Sequence, residues 1–303
     1  MQVNSKFLTG TLATIVGLSV IYLGVLGVCS TFDPPSFNPK TLDASATEQQ
    51  KAQVMAQAVT FALDNELNRT FGLITNDLCF VPTIIDNLSS YQLGVIYATR
   101  PASDMVAKTV ARVGERDTID PRLADATSRY FTYGDNVWGF WFIYDCEGKY
   151  KAGIKGWQDW ANAVGTTGKN AGIYNVKSDD VYAILRYCSL MTDYALGILN
   201  DTDMGHFKAD NNIYYAKGVA AVAGNLLKGI AAVDNSVSER GGAENLAEAL
   251  KRFSYIEQFE PIYIFAGGNA IGDAMMPNHV AALARHFDIV NNRINDMLKS
   301  MEK

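Results

Sequence analysis

Apolar and polar positions are distributed unevenly along the chain. Residues 7–28, FLTGTLATIVGLSVIYLGVLGV, carry no charge and have only Thr, Ser and Tyr as polar relief. At about 1.5 Å of rise per residue, roughly 22 residues reach across a hydrocarbon core of about 30 Å, so this run predicts a transmembrane helix. No later segment reads as a second span. Residues 1–6 then form a short amino-terminal tail, 29–43 a linker, and 44–303 a domain on one side of the bilayer. The linker holds Pro34, Pro35 and Pro39, which cannot continue a helix, and reads as a stiff extended connector.

Beyond the linker the pattern is helical. Ser45-Ala-Thr-Glu48 has the form of a capping box, and Val54, Ala58, Phe61, Leu63 and Leu67 recur at helical spacing through Asn68. Residues 91–99 read as a short helix interrupted by Pro101, with Ser103 as cap for a second over 104–113. Asp120-Pro121 opens a helix to about Thr132, and 149–163 is another. A Gly-, Thr- and Asn-rich loop at 164–172 offers an internal boundary near Gly168. Helices follow at 178–200 and 211–233, then a shorter one from Gly241-Gly242 to Arg252. A last amphipathic helix over 278–301, capped by Asn278, is expected to pack on 178–200 and 211–233. Nothing alternates like a sheet for long. The expected fold class is all-α: one amino-terminal transmembrane helix followed by an irregular multi-helix soluble domain.

Charge decides the side. Lys6 and the amino terminus precede the apolar run, and no basic residue follows it until Lys40, which puts the amino terminus in the cytoplasm and the bulk outside. A cleaved signal peptide is the competing reading, but its apolar core spans only about 7–15 residues. Cys29 ends Leu26-Gly27-Val28-Cys29 in the manner of a lipoprotein signal, although Val28 stands where a small residue is wanted. Gly10, Gly17 and Gly24 recur every seven residues on one stripe and mark a surface for helix–helix contact in lipid. The net charge of −6, with no basic run, excludes a nucleic-acid surface and a polybasic membrane patch.

Chemistry is sparse. Cys79, Cys146 and Cys188 lie too far apart in sequence for a zinc motif; plain burial or one disulfide among them are the alternatives. The three histidines are His206, His279 and His286. The last two would stand about 10 Å apart along one helix, too far to share a metal. HExxH, GxSxG, Walker and GxGxxG patterns are missing, so no metal or cofactor is expected. Asp77 and Asp86, around Pro82, form either an acid–base pair for glycan hydrolysis or, with Asn76 and Asn87, a set of helix and turn caps.

All four tryptophans fall within 138–160. Tyr130, Phe131, Tyr133, Trp138, Trp141, Tyr144, Trp157 and Trp160 make an aromatic cluster, with Asp135, Asn136 and Asp159 as polar companions. Such rings fill cores, the commoner use between helices, or stack on sugars and anchor partner proteins. On the second use Tyr133, Asp135, Trp138, Trp141, Tyr144, Trp157 and Trp160 line a partner- or glycan-binding groove.

Three stretches carry a resemblance: Thr75-Asn-Asp77 with Pro82, Asp86-Asn87 and Tyr91-Gln-Leu-Gly94; Asp180-Val-Tyr182 opening a helix; and Phe265-Ala-Gly-Gly268 through Pro277-Asn-His279. With the amino-terminal anchor they resemble, in order along nearly the whole chain, the bacterial membrane-protein family catalogued as domain of unknown function 2333. The resemblance implies a single-span envelope protein of Gram-negative bacteria with a helical extracytoplasmic domain. It carries over no catalytic residue.

The expectation is therefore a non-catalytic scaffold, assembly factor or accessory subunit in the bacterial inner membrane. It touches lipid through 7–28 and other membrane or periplasmic proteins through its domain, as part of a homo- or hetero-oligomer. The alternative is an anchored module that binds or hydrolyses glycan, peptidoglycan included.

Overall fold

In a computed structural model the chain is described at residues 5–29, 32–43, 45–70, 72–74, 86–113, 118–132, 146–168, 170–201, 206–261, 264–265 and 277–302. Helix α1, Ser5–Cys29, stands by itself: its described side chains are solvent-facing, with Leu12, Leu18, Val20 and Ile21 each more than 60% exposed. The fold is all-α, with a two-residue antiparallel pair, β1 (Arg112–Val113) and β2 (Thr118–Ile119), as the described exception.

Helix α2, Glu48–Leu67, starts two residues later than the Ser45 pattern suggested. The Thr47 hydroxyl accepts from Gln50 N at 3.2 Å and Thr47 N donates to Gln50 Oε1 at 2.9 Å, a reciprocal capping box. Helix α3, Asn87–Thr109, runs straight through Pro101. A proline removes one helical hydrogen bond, but Val95, Ala98, Ala102 and Val106 keep one continuous buried stripe across it, and that burial outweighs the local cost. Ser103 is consequently interior and not a cap.

Asp120 opens α4, Pro121–Asp125, its Oδ1 accepting from Arg122 N at 3.0 Å, and a π-turn, Ala126–Tyr130, follows at once. Helices α5 (Cys146–Ala163), α6 (Ser178–Leu199) and α7 (His206–Val233) come next. A second π-turn, Ser238–Gly242, reaches α8 (Ala243–Gln258) through Gly241, whose φ of +85° suits glycine. Asn278 Oδ1 accepts from Ala281 N at 2.8 Å and caps α9, His279–Met301.

Helix α7 is the axle, packed by α2, α3, α6 and α8. It crosses α3 backbone to backbone: a Cβ on Gly94 would lie 2.1 Å from the Tyr215 carbonyl oxygen, and one on Gly218 2.1 Å from that of Tyr91. Helix α9 lays Leu283, Phe287, Val290, Ile294 and Met297 on α6, as expected, and on α8; it only brushes α7, which α6 and α8 already cover. One hydrophobic cluster runs from Phe37 to Met301, and the 164–172 loop closes on itself through Gly172 N donating to Ala163 O at 2.9 Å. Gly168 therefore lies in a surface loop over a continuous core.

Candidate functional site

The structure divides the aromatic cluster read from sequence. Tyr133, Asp135, Asn136, Trp138, Trp141 and Tyr144 lie outside the described residues, as do Asp77 and Cys79. Trp157 and Trp160 are fully buried and packed edge to face at 5.5 Å, so neither offers a ring to a ligand. Trp157 Nε1 donates to the buried Ser103 hydroxyl at 2.8 Å. Asp159 lies on the outer face of α5, paired with Lys155 at 2.7 Å. These described residues stabilise the core and its surface.

The remaining candidates are also placed. Asp86 precedes α3 without capping it; burial, more than Asp210 nearby, raises its carboxyl above the usual range against the Asn211 hydrogen bond. Cys188 is interior, its thiol donating to Ala223 O at 3.3 Å and pushed up to about 12 by burial; Cys146 is buried and not joined to it. His279 Nδ1 accepts from Phe265 N at 3.0 Å while its own N–H donates to Phe265 O, a clasp at the start of α9. His286 sits against Arg252 and Tyr255, its ring pKa lowered first by burial and then by Arg252 and Arg285. Among the described residues no three His, Cys, Asp or Glu converge as a metal site. The side chains of Cys29 and His206 lie outside the description.

Two other features come forward. The first is a half-open groove of about 700 Å³ between α3, α7 and the turn after α4. Its wall on α3 is Tyr97, Arg100, Asp104 and Lys108, residues spaced along one helical face. Tyr97 is 44% exposed, and one of its faces is covered by Tyr194, stacked at 4.6 Å with 17° between the rings. The Tyr194 and Tyr215 hydroxyls meet at 3.3 Å. Burial and the adjacent Tyr194 push the Tyr97 phenol pKa upwards. Asp104 and Lys108 pair at 2.5 Å, whereas Arg100 is exposed and has no partner among the described residues. Ser128 and Thr132 line the opposite wall. The stripe is hard to see in sequence because Pro101 splits it.

The second is the linker, which is no free spacer. The Phe32 ring stands edge-on to Tyr91 at 5.0 Å and to Tyr214 at 4.9 Å, with Lys217 Nζ 4.5 Å from its centroid. Phe37 is buried against Phe61, the Ser36 hydroxyl donates to Glu257 at 3.3 Å, and Leu42 N donates to Ala232 O at 2.8 Å. Lys217 itself donates to Phe259 O at 2.5 Å. Burial draws its ammonium pKa down to about 8, against the opposing pull of Glu260 and Glu257. Phenylalanines interleaved with prolines were the available signal; their sockets lie on distant helices.

Comparison with known families gives a match over residues 2–201 to a family described as an uncharacterised protein conserved in bacteria. The chain belongs to the DUF2333 family. No curated protein and no solved structure matches it. Of the three stretches that suggested DUF2333, the first two lie inside the matched residues and the third, 265–279, lies beyond them. Where these DUF2333 residues are described, they build the scaffold. Tyr91 packs on Phe32. Gln92 Nε2 donates to Glu66 Oε2 at 3.0 Å and to Gly72 O at 3.1 Å, while its Oε1 accepts from Ile74 N at 3.0 Å. Gly94 opens the α3–α7 crossing, and Asp180 Oδ2 accepts from Lys177 N at 2.8 Å at the head of α6.

Proposed function

We propose that this DUF2333 chain is a non-catalytic, single-pass protein of the bacterial inner membrane. Helix α1 crosses the bilayer with its amino terminus in the cytoplasm, and the helical domain is presented to membrane or periplasmic protein partners. One observation carries the reading: an exposed apolar helix leads directly into a segment clamped onto the domain. The 25 residues of α1 extend about 37 Å, enough to cross the hydrocarbon core with some tilt. Only three peptide units separate Cys29 from Phe32, which limits their Cα distance to about 11 Å. The Phe32 socket, with the head of α3 and Phe259, then lies at the membrane surface.

Alkaline extraction of membranes carrying the full chain tests the anchor. Retention in the pellet, with digestion of the domain only after the outer permeability barrier is opened, is the expected result. Release into the wash, or digestion only from the cytosolic side, refutes it. A Cβ at Gly10, Gly17 or Gly24 would meet nothing within 4 Å, which leaves that stripe available to a second helix in lipid. Gly17→Leu should then weaken oligomerisation or partner capture in mild detergent, and unchanged association counts against the stripe.

A further inference from the structure

We propose that the groove along α3 binds a saccharide bearing a single carboxylate, its ring stacked on Tyr97 and its acid paired with Arg100. This goes beyond the anchoring reading and does not depend on it. Among the described residues of the domain Tyr97 is the large aromatic left most open, yet it is held: Tyr194 covers one face, and Tyr215 braces Tyr194 through the hydroxyl contact. A ring fixed in this way loses little side-chain entropy on binding, and its other face and edge present a flat apolar surface bounded by polar groups.

The charge of the groove selects the ligand. Asp104 pairs with Lys108, and among the described lining residues the Arg100 guanidinium is the charge without a partner. One carboxylate balances it, and the planar fork accepts that carboxylate in bidentate fashion. A diphosphate would bring charge that nothing here matches. Across the groove Ser128 donates to Ala124 O at 2.6 Å and Thr132 to Arg129 O at 3.2 Å, so the hydroxyl oxygens of these two lining residues retain lone pairs to accept from sugar hydroxyls. An acyl chain placed there would strip water from Arg100, Asp104, Lys108 and both hydroxyls without replacing it. The volume, about 700 Å³, is that of a small-molecule site. Among the described residues the lining supplies one carboxylate, Asp104, already paired, whereas glycoside hydrolysis uses two, so the described groove is read as a binding site.

Calorimetric titration of the full chain in detergent micelles tests this, with N-acetylglucosaminyl-N-acetylmuramic acid as the acidic probe and neutral chitobiose as its counterpart. The acidic disaccharide should bind at least about 10-fold more tightly than the neutral one, as expected of a charge-assisted pair. Arg100→Gln should erase that preference while keeping the weaker neutral binding. Tyr97→Ala should abolish both, and Tyr97→Phe should retain both. Arg100 and Tyr97 are surface residues, and unchanged thermal unfolding of the variants verifies the fold. Absence of binding by either sugar, equal binding of the two, or a preference that survives Arg100→Gln overturns the proposal. So does a groove that loses a captured protein, and no sugar, on Tyr97→Ala. Alkaline extraction is indifferent to all of these outcomes, so this reading and the membrane anchor fail separately.

Discussion

Lys217 offers the sharpest quantitative test of the strap, residues 32–42, that joins α1 to the domain. It is 3% exposed, between Phe32, Tyr214 and the Phe259 carbonyl, and its pKa falls from an ordinary 10.5 to about 8. The folded chain thus releases this proton near pH 8 while the unfolded chain keeps it until about 10.5. Between those values the unfolded state binds more protons, so stability contributed by this site rises with pH and is flat below 8. The whole fall corresponds to about 3 kcal/mol. Lys217→Met removes the titration. Opposing groups are present: the Cys188 thiol and Tyr214 phenol, both pushed up to about 12 by burial, make the folded state lose stability above about 9 and 10. They are common to both proteins and cancel in the difference. Urea unfolding of the full chain in micelles, followed by fluorescence of buried Trp157 and Trp160, should show wild type gaining about 3 kcal/mol on Lys217→Met from pH 7.5 to 10.5. A difference that does not change with pH would refute the account.

Other substitutions read the scaffold of the family stretches. Gly94→Ala or Gly218→Ala should each cost about 1–3 kcal/mol in the same unfolding assay, because the new Cβ meets a backbone carbonyl at 2.1 Å and outweighs the better helix propensity of alanine. A stability gain would show that the helices part freely. Gln92→Leu leaves the Ile74 N–H and one bond to the buried Glu66 carboxylate unmade, and should cost about 2–4 kcal/mol in urea; a loss under 1 kcal/mol would place water in the network.

The elements that were legible from sequence are those with one-sided demands. Helix α9 alternates faces at the helical period, and Asn278 announces its start. Helix α3 was misread because the rule for Pro101 is local, while the reason the helix continues is the buried stripe on α7, more than 100 residues downstream. The same break hid the line of Tyr97, Arg100, Asp104 and Lys108. Trp157 and Trp160 did carry a signal: with Tyr150, Ile154 and Ala161 they form one helical stripe, the pattern of a buried face. The strap carried a signal, phenylalanines between prolines, but not where they dock. Phe32 and Phe37 look like isolated apolar residues until Tyr91, Tyr214 and Phe61 are brought to them by tertiary packing.

Among the described residues one helix is long and apolar enough to cross a membrane, α7, which the apolar pattern had not marked as a span, while residues 9–25 of α1 form a shorter apolar stretch; the two have opposite surroundings. In α7 most of the apolar stretch from 208 to 233 is buried inside the domain, and Lys217, Asn225 and Lys228 find places there. Helix α1 has no such cover, with Ile15, Val16, Leu18 and Leu23 more than half exposed. Apolar area of that extent requires lipid or protein around it. The strap determines how far the two can move apart, and Phe32 is its first fixed point. Phe32→Ala removes two edge-on ring contacts and one of the two rings over Lys217, about 2 kcal/mol for a half-buried aromatic. Phe37 and the Leu42 hydrogen bond still hold the far end, so the domain should unfold as before while residues 33–36 open more often. Cleavage in that stretch by dilute protease should accelerate about 10-fold or more, since local opening sets the rate when closing is fast. If cleavage proceeds at the wild-type rate, the grip lies in Phe37 and Leu42 alone, and Phe32 contributes nothing to holding residues 33–36.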